Sequence, residues 1–182
     1  HTEAQEYYES LRDTYASNEN IENVEDMFSN QKIEVKIDLS VEKPQIDLSQ
    51  LGGWSYGLEW KIIAGLFDKK AVFQVIGCLI NQPSLLDTYL LSIDDFDGED
   101  FHQIIFGCIY NLYNQGVNVI DCFAIDTFIS NYEKQYKIFT DNNGIDYVND
   151  AASMCEPQNF DYNFNRLKKM SLLRYYESQG FD

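Results

Sequence analysis

The stretch from Asp68 to Gly116 constrains the fold of this chain more than any other part of it. It holds two long amphipathic patterns, separated by a proline-marked break and an acidic turn. The apolar positions of the first are Val72, Val75, Ile76, Leu79 and Ile80, and those of the second are Phe101, Ile104, Ile105, Cys108, Ile109 and Leu112. This i, i+3, i+4, i+7 spacing places each set on one face of a helix with ~3.6 residues per turn. We predict that these faces are buried against each other or against later helices.

Polar residues and glycines mark the expected helix ends. Asp68 and Asp121 are predicted N-caps, because a carboxylate can accept backbone N–H bonds in a first helical turn. Gly116 is the predicted C′ residue of the second long helix. Ser84, with Asp87 three positions later, resembles a capping box that opens a short helix after Pro83.

Three further helices are predicted beyond Gly116. They run from Asp121 to about Tyr132, from Ile145 to about Cys155, and from about Phe160 onward. The stretch EKQYKIFTDNNG at 133–144 is predicted to be a connection with a turn at its end. No strand pattern follows residue 57, so we predict an all-α, compact multi-helix bundle.

The first 57 residues have a different character. Between Lys32 and Val41 the sequence alternates polar and apolar residues, which is a strand signature of period two. We predict that residues 1–57 form a partly extended N-terminal arm and that residues 58–182 form the helical domain. One hypothesis is that the segment 33–41 adds to a neighbouring chain, as extended peptides do by strand addition.

Charge and cysteine usage limit the function classes. The chain has 30 acidic and 13 basic residues, a net charge of −17, which argues against direct nucleic-acid binding because such binding relies on Lys and Arg. Protein partners fit better. No apolar run approaches the ~20 residues of a membrane span. The four cysteines show no zinc-ligand spacing, so we expect reduced thiols in an intracellular, cytoplasmic protein.

Catalytic and metal-binding motifs are not apparent. The sequence has no phosphate-binding loop and none of the common hydrolase or metalloprotease motifs. The acidic residues between 94 and 100 lack the ligand ladder of a calcium loop, so they are interpreted as a solvated turn. His102 is expected on the helix surface. We predict no catalytic residue, no cofactor-binding residue and no metal ligand. An enzyme that uses the acidic cluster is the least favoured reading.

From residue 68 onward, five motifs follow one another as in the N-terminal domain of DnaB-type replicative helicases, which this part of the chain resembles. They are AVFQVIGCLINQP at 71–83, EDFHQIIFGCIYNLYNQG at 99–116, VIDCFAIDTFI at 119–129, Gly144 with Tyr147 and Val148, and the basic, Leu-rich helix NFDYNFNRLKKMSLLRYYES at 159–178. The resemblance covers residues 68–178. The chain departs from the family at Asp68-Lys69-Lys70, where the family has an Ala-Glu-Gln-like opening, and in its long N-terminal lead. These departures suggest a divergent, phage-encoded member.

The resemblance implies an assembly and docking domain of a hexameric helicase in a bacterium or phage-infected cell. It implies self-association, and binding of a primase, a helicase loader, or both. ATP and Mg²⁺ would belong to a motor domain, and we expect that motor and the second helix of a terminal hairpin beyond this sequence. The fragment itself is expected not to be an enzyme. The alternative is the helicase-binding domain of a primase, or a free-standing phage replication adaptor.

The last predicted helix is the candidate partner interface. It carries four of the eight basic residues that follow position 66. A local basic face on an acidic domain could attract an acidic partner. Alternatively, these cations only interact with the negative end of the helix dipole and with water, and they bind no partner. The candidate interface residues are Arg166, Lys168, Lys169, Arg174, Tyr175 and Tyr176.

Overall fold

A computed structural model describes residues 43–52 and 65–180 of the chain. These residues contain seven α-helices and no strand, so the all-α prediction is confirmed for them. The helices are α1 (Lys69–Asn81), α2 (Leu85–Thr88), α3 (Asp100–Asn114), α4 (Cys122–Ile129), α5 (Glu133–Asp141), α6 (Gly144–Met154) and α7 (Phe160–Ser178). Short 3-10 turns occupy Leu48–Gln50, Ile93–Phe96 and Pro157–Asn159.

The two apolar stripes that opened the sequence analysis form the centre of the core. Every residue of both stripes is buried, including Ile76, Ile104 and Ile105 at 0% exposure. Helix α1 packs chiefly on α6 and α7, whereas α3 packs on α4, α5 and the Ile93–Phe96 turn. Removal of these apolar side chains from water is the main favourable contribution to the folding free energy of the unit.

Most of the predicted helix ends are confirmed. Asp68 accepts a hydrogen bond from the Ala71 N–H at 3.0 Å, and Asp121 accepts one from the Ala124 N–H at 2.8 Å. Gly116 follows α3 with φ +83, in the left-handed region that favours glycine at this position.

The predicted cap at Ser84 is wrong. Ser84 has helical backbone angles, and its side chain makes no cap hydrogen bond. A capping arrangement occurs instead at the next turn, where the Asp95 carboxylate accepts from the N–H of Ser92 at 2.8 Å and from its hydroxyl at 3.3 Å.

The predicted connection at 133–144 is also wrong, because residues Glu133–Asp141 form helix α5. Its inward face carries Gln135 and Phe139, which are 3% and 1% exposed. Helix α5 therefore has a polar residue at a core position. Because of this residue, the apolar periodicity of its sequence is weak.

The predicted arm lies mostly outside the described residues. This holds for the alternating segment 33–41 and for the boundary at 57/58. By contacts, the chain divides into residues 1–42 and 43–182, and the described part belongs to the second unit. Residues 43–52, which the sequence analysis placed in the arm, pack on α3 and α5, with Leu48 fully buried.

His102 is in the core, contrary to the expectation of a surface position. Its side chain is 4% exposed and lies beside the rings of Phe67, Phe101 and Tyr147, with centroid separations of 5.8, 5.4 and 5.5 Å. Its Nδ1 has no hydrogen-bond partner, although a Glu99 carboxylate oxygen lies 3.3 Å away. Burial lowers the pKa of His102 to about 4; Glu99 opposes this shift. The imidazole is therefore neutral near pH 7, and the Glu99 contact is not an ion pair there.

This neutral, buried imidazole predicts a pH dependence of stability. In the unfolded chain the imidazole binds a proton near its ordinary pKa of 6.5, whereas in the folded chain it does so only near pH 4. Between these values the unfolded state holds more protons, so stability falls as the pH falls. We expect His102 to remove about 3 kcal/mol of unfolding free energy between pH 7 and pH 4.

Urea unfolding of the parent chain and of His102→Gln at several pH values checks this expectation. The carboxylates titrate in both proteins, so the difference between the two curves isolates the imidazole. The difference in unfolding free energy between the two proteins should change as the pH falls below 6.5. Two parallel curves would show that His102 takes up its proton equally well in both states.

Candidate docking surface

Helix α7 contributes one face to the core and leaves the opposite face exposed. The inward residues are Phe160, Asn163, Leu167 and Arg174, all buried. At its N-terminal end, Tyr89 packs edge-on against Phe160 and Phe164 at centroid distances of 4.7 and 5.0 Å. The buried residues of α7 recur at intervals of three, four and seven positions, which is the period of a helix. The residues between them therefore form a continuous stripe on the outward side of α7.

Three of the four cations proposed for the interface are engaged within the unit. The Arg166 Nε donates to an Asp68 carboxylate oxygen at 2.6 Å. Lys168 Nζ lies 2.9 Å from both carboxylate oxygens of Asp95, whose side chain is 1% exposed. These contacts attach α7 to the start of α1 and to the Ile93–Phe96 turn.

Arg174 binds three backbone carbonyls that belong to two segments of the chain. Its guanidinium donates to the carbonyl oxygens of Leu66 at 2.7 Å, Asp94 at 2.9 Å and Asp95 at 3.1 Å. Its pKa is lowered by burial, and Asp97 and neighbouring carboxylates oppose that effect. Since these donors bind carbonyls of the same unit, Arg174 stabilises the fold.

The ion pair at Arg166 also affects the titration of its partner. Partial burial tends to raise the pKa of Asp68, but the Ala71 N–H and the Arg166 guanidinium outweigh burial and hold that pKa below its usual range. Asp68 therefore stays charged at neutral pH while it caps α1 and binds α7.

The remaining candidates lie on the exposed side. Lys169 is exposed, and Tyr175 and Tyr176 are 60% and 48% exposed. Two apolar residues that the sequence analysis did not single out accompany them, Leu172 at 52% and Leu173 at 39% exposure. Residues five and six positions after the buried Leu167 point away from its face of the helix, so the helical period could have indicated Leu172 and Leu173.

We call the outward set the α7 stripe: Lys169, Leu172, Leu173 and Tyr176. Lys169 and Tyr176 each lie three or four positions from Leu172 and Leu173, so their side chains neighbour these leucines on the helix surface. Tyr175 lies at the margin of the stripe, beside a groove of about 430 Å³ that is also lined by Ser92, Asp94, Asp97 and Ser178. Lys168 and Arg174 line the same groove. The stripe is thus apolar and aromatic, with one cation, and charges of both signs lie at its margin.

This placement favours an apolar contact over the basic one considered from the sequence. An acidic partner stays a prediction. Three of the four proposed cations contact a carboxylate or a carbonyl group within the described unit, and no such contact is shown there for Lys169. An exposed patch of Leu and Tyr on a helix is typical of a protein-binding surface.

No group of three or more His, Cys, Asp or Glu within residues 43–52 and 65–180 could hold a metal ion. Within the same residues, no helix has the length and hydrophobicity needed to cross a membrane. All four cysteines are free thiols, and Cys78 and Cys108 are buried.

The fold and this surface together define an all-α unit with an exposed apolar helix face. No family model matches the chain, and no solved structure matches it. The chain is similar to the SPbeta prophage-derived uncharacterized protein YorI of Bacillus subtilis (strain 168), with 41% identity over 120 residues. The match covers 64% of this chain and 24% of that relative, so the chain spans about a quarter of the relative's length. A phage-derived relative fits the phage association expected from the sequence.

Proposed function

We propose that this chain is the N-terminal assembly and partner-docking domain of a hexameric replicative DNA helicase, and that it binds a primase, a helicase loader, or both through the α7 stripe. The observation that carries the proposal is the exposed Leu and Tyr face at the end of α7, opposite its buried face. In the helicase family that the sequence resembles, the corresponding helix belongs to the hairpin through which N-terminal domains associate.

The positions of the resembling motifs support this proposal. The Gly-containing first motif is helix α1, broken before Pro83, and the second motif is helix α3, ended at Gly116. Asp121 caps α4, and Tyr147 and Val148 lie on α6. Each motif therefore lies on a helix or at a helix end.

The size of the relative favours a helicase over a free-standing adaptor. A match of 120 residues that makes up 24% of the relative implies a protein of about 500 residues. That length leaves room for a motor domain of ordinary size beside a domain such as this one. ATP and Mg²⁺ would act in that motor, and the present unit would act in the cytoplasm as an assembly and docking module.

The experiment is a calorimetric titration of this chain with the replicative primase and the helicase loader of the same phage or host. We expect a saturable complex with at least one of them. The variant Leu172→Asp should weaken it by at least tenfold, because buried apolar anchors dominate interfaces. The thermal midpoint of the variant should stay near that of the parent, since Leu172 is 52% exposed.

Phe123→Asp is the matched control, because Phe123 is 70% exposed and lies on α4, not on α7. It should leave the affinity within about threefold of the parent value. Absence of binding to both proteins would contradict the proposal. Binding to a helicase N-terminal domain in place of a primase would instead support the reading as a helicase-binding domain.

A further inference from the structure

Two of the four cysteines lie against each other where α1 and α6 cross. Cys78 is a buried residue of α1, and Cys155 directly follows the last residue of α6. The two thiols share a side-chain hydrogen bond, so their sulfur atoms are in contact. Burial, followed by the neighbouring Cys155 thiol, raises the pKa of Cys78 to about 12. Two adjacent thiols that are distant in sequence are the arrangement from which a disulfide can form.

The close crossing of the two helices brings these thiols together. A methyl group at Gly77, the residue before Cys78, would lie 2.8 Å from the Cys155 Cβ and 2.1 Å from the Ala151 carbonyl oxygen. Because position 77 carries no side chain, the Cys155 Cβ can lie directly over this turn of α1. A disulfide joins cysteines whose Cα atoms are about 6 Å apart, and only such a close approach of two backbones allows that separation.

Two amide side chains hold Cys155 against α1. The Asn81 Nδ2 donates to the Cys155 Sγ at 3.2 Å. The Gln74 Nε2 donates to the Met154 carbonyl at 3.2 Å, and the Gln74 Oε1 accepts from the Glu156 N–H at 2.8 Å. The residues before and after Cys155 are thus attached to α1, and this attachment keeps its sulfur beside the neighbouring thiol.

Cys155 is also the cysteine that an oxidant in water can reach. Cys78, Cys108 and Cys122 are buried, whereas Cys155 is partly exposed at the end of α6. In a redox-sensitive pair, an accessible thiol is oxidised first and a second thiol beside it then resolves the product. Disulfides of cytosolic proteins are usually transient bonds of this kind. The position of Cys155 therefore fits the first role, and the position of Cys78 fits the second.

We propose that Cys78 and Cys155 are a site of reversible oxidation, at which hydrogen peroxide converts the two thiols to a disulfide. The Cys155 sulfur attacks one peroxide oxygen, the O–O bond breaks, and Cys155 sulfenic acid and one water form. The Cys78 sulfur then attacks the Cys155 sulfur, the S–O bond breaks, and the hydroxide leaves with the Cys78 proton as a second water. The two thiols together lose two electrons, which the peroxide gains.

The disulfide ties α1 to the connection between α6 and α7. Cys155 is followed by the Pro157–Asn159 turn and then by α7, which begins at Phe160. The bond closes a long loop of the chain, so it restricts the unfolded state and favours the folded unit. Oxidation is therefore expected to raise the urea midpoint of the chain, and reduction with dithiothreitol is expected to restore the original midpoint.

The test uses the whole chain in its folded state. Hydrogen peroxide is added in small excess, the chain is unfolded, the remaining thiols are blocked with N-ethylmaleimide, and the chain is digested without a reductant. We expect mass spectrometry to identify a cross-linked pair of peptides joined through Cys78 and Cys155, whereas Cys108 and Cys122 carry the blocking group. The urea midpoint of the oxidised chain should exceed that of the reduced chain.

Two single substitutions are the matched controls. Cys155→Ser removes the partly exposed thiol and should abolish the cross-link, whereas Cys122→Ser removes a thiol outside the pair and should leave it in place. Sulfinic or sulfonic acid at Cys155 without a bond to Cys78 would overturn the proposal. A disulfide that includes Cys108 or Cys122, or four unchanged thiols, would overturn it equally. So would a urea midpoint that does not rise on oxidation, because the bond would then not fit the folded unit.

Discussion

Gly77→Ala is expected to destabilise the helical unit by about 3 kcal/mol. The reason is the crossing of α1 and α6, where a methyl group at position 77 would lie 2.1 Å from the Ala151 carbonyl oxygen and 2.8 Å from the Cys155 Cβ. The oxygen belongs to the backbone, so relief requires α6 to move as a whole. Urea unfolding of the parent and the variant measures the effect.

Gly107→Ala is a closely matched control for this prediction. Both glycines lie inside long helices, so both substitutions gain about 1 kcal/mol of helix propensity. At Gly107, however, the nearest atom is the flexible end of Leu48, at 2.6 Å. We expect this control to stay within about 1 kcal/mol of the parent. Equal effects of the two substitutions would contradict a backbone-limited crossing of α1 and α6.

Ile105→Ala is expected to lower the unfolding free energy by about 2–5 kcal/mol. Ile105 is 0% exposed in the middle of α3, and it belongs to the core cluster that also holds Ile76 and Ile109. Its truncation removes buried methyl and methylene groups and leaves a cavity, and both effects destabilise the folded state. The thermal midpoint and the urea midpoint should both decrease.

Leu90→Ala supplies the comparison for Ile105, because Leu90 is 85% exposed. Truncation of such a side chain should change the stability by less than about 0.5 kcal/mol. An Ile105→Ala protein that unfolds at the parent midpoint would show that α3 does not bury this face.

Helix periodicity alone was enough to predict the centre of the fold. The stripes of α1 and α3 are local in sequence, and their spacing determines which side chains share a face. Asp68, Asp121 and Gly116 mark helix ends through interactions within a single turn, so they too could be predicted.

The elements that were predicted wrongly depend on contacts distant in sequence. Helix α5 buries Gln135, whose amide is satisfied by carbonyls of residues 49 and 51, more than eighty positions earlier. His102 is buried by Phe67 and Tyr147 from other parts of the chain. No periodic pattern within α3 or α5 indicates such partners.

The sequence analysis predicted a docking surface on the last helix but not which face of that helix is exposed. The basic residues and the resemblance both indicated the last helix. The sequence did not show which of these basic side chains form contacts within the unit. Lys168 meets Asp95 across 73 positions and Arg174 meets the Leu66 carbonyl across 108. The apolar character of the α7 stripe emerges only once these pairings are known.

Amide hydrogen exchange with and without the bound primase tests the central claim most directly. The account predicts that binding slows exchange in residues 169–178 of α7, whereas helix α4 (Cys122–Ile129), which carries the exposed control residue Phe123, exchanges as before. Unchanged exchange along the end of α7, with protection elsewhere or nowhere, would contradict a docking role for this helix.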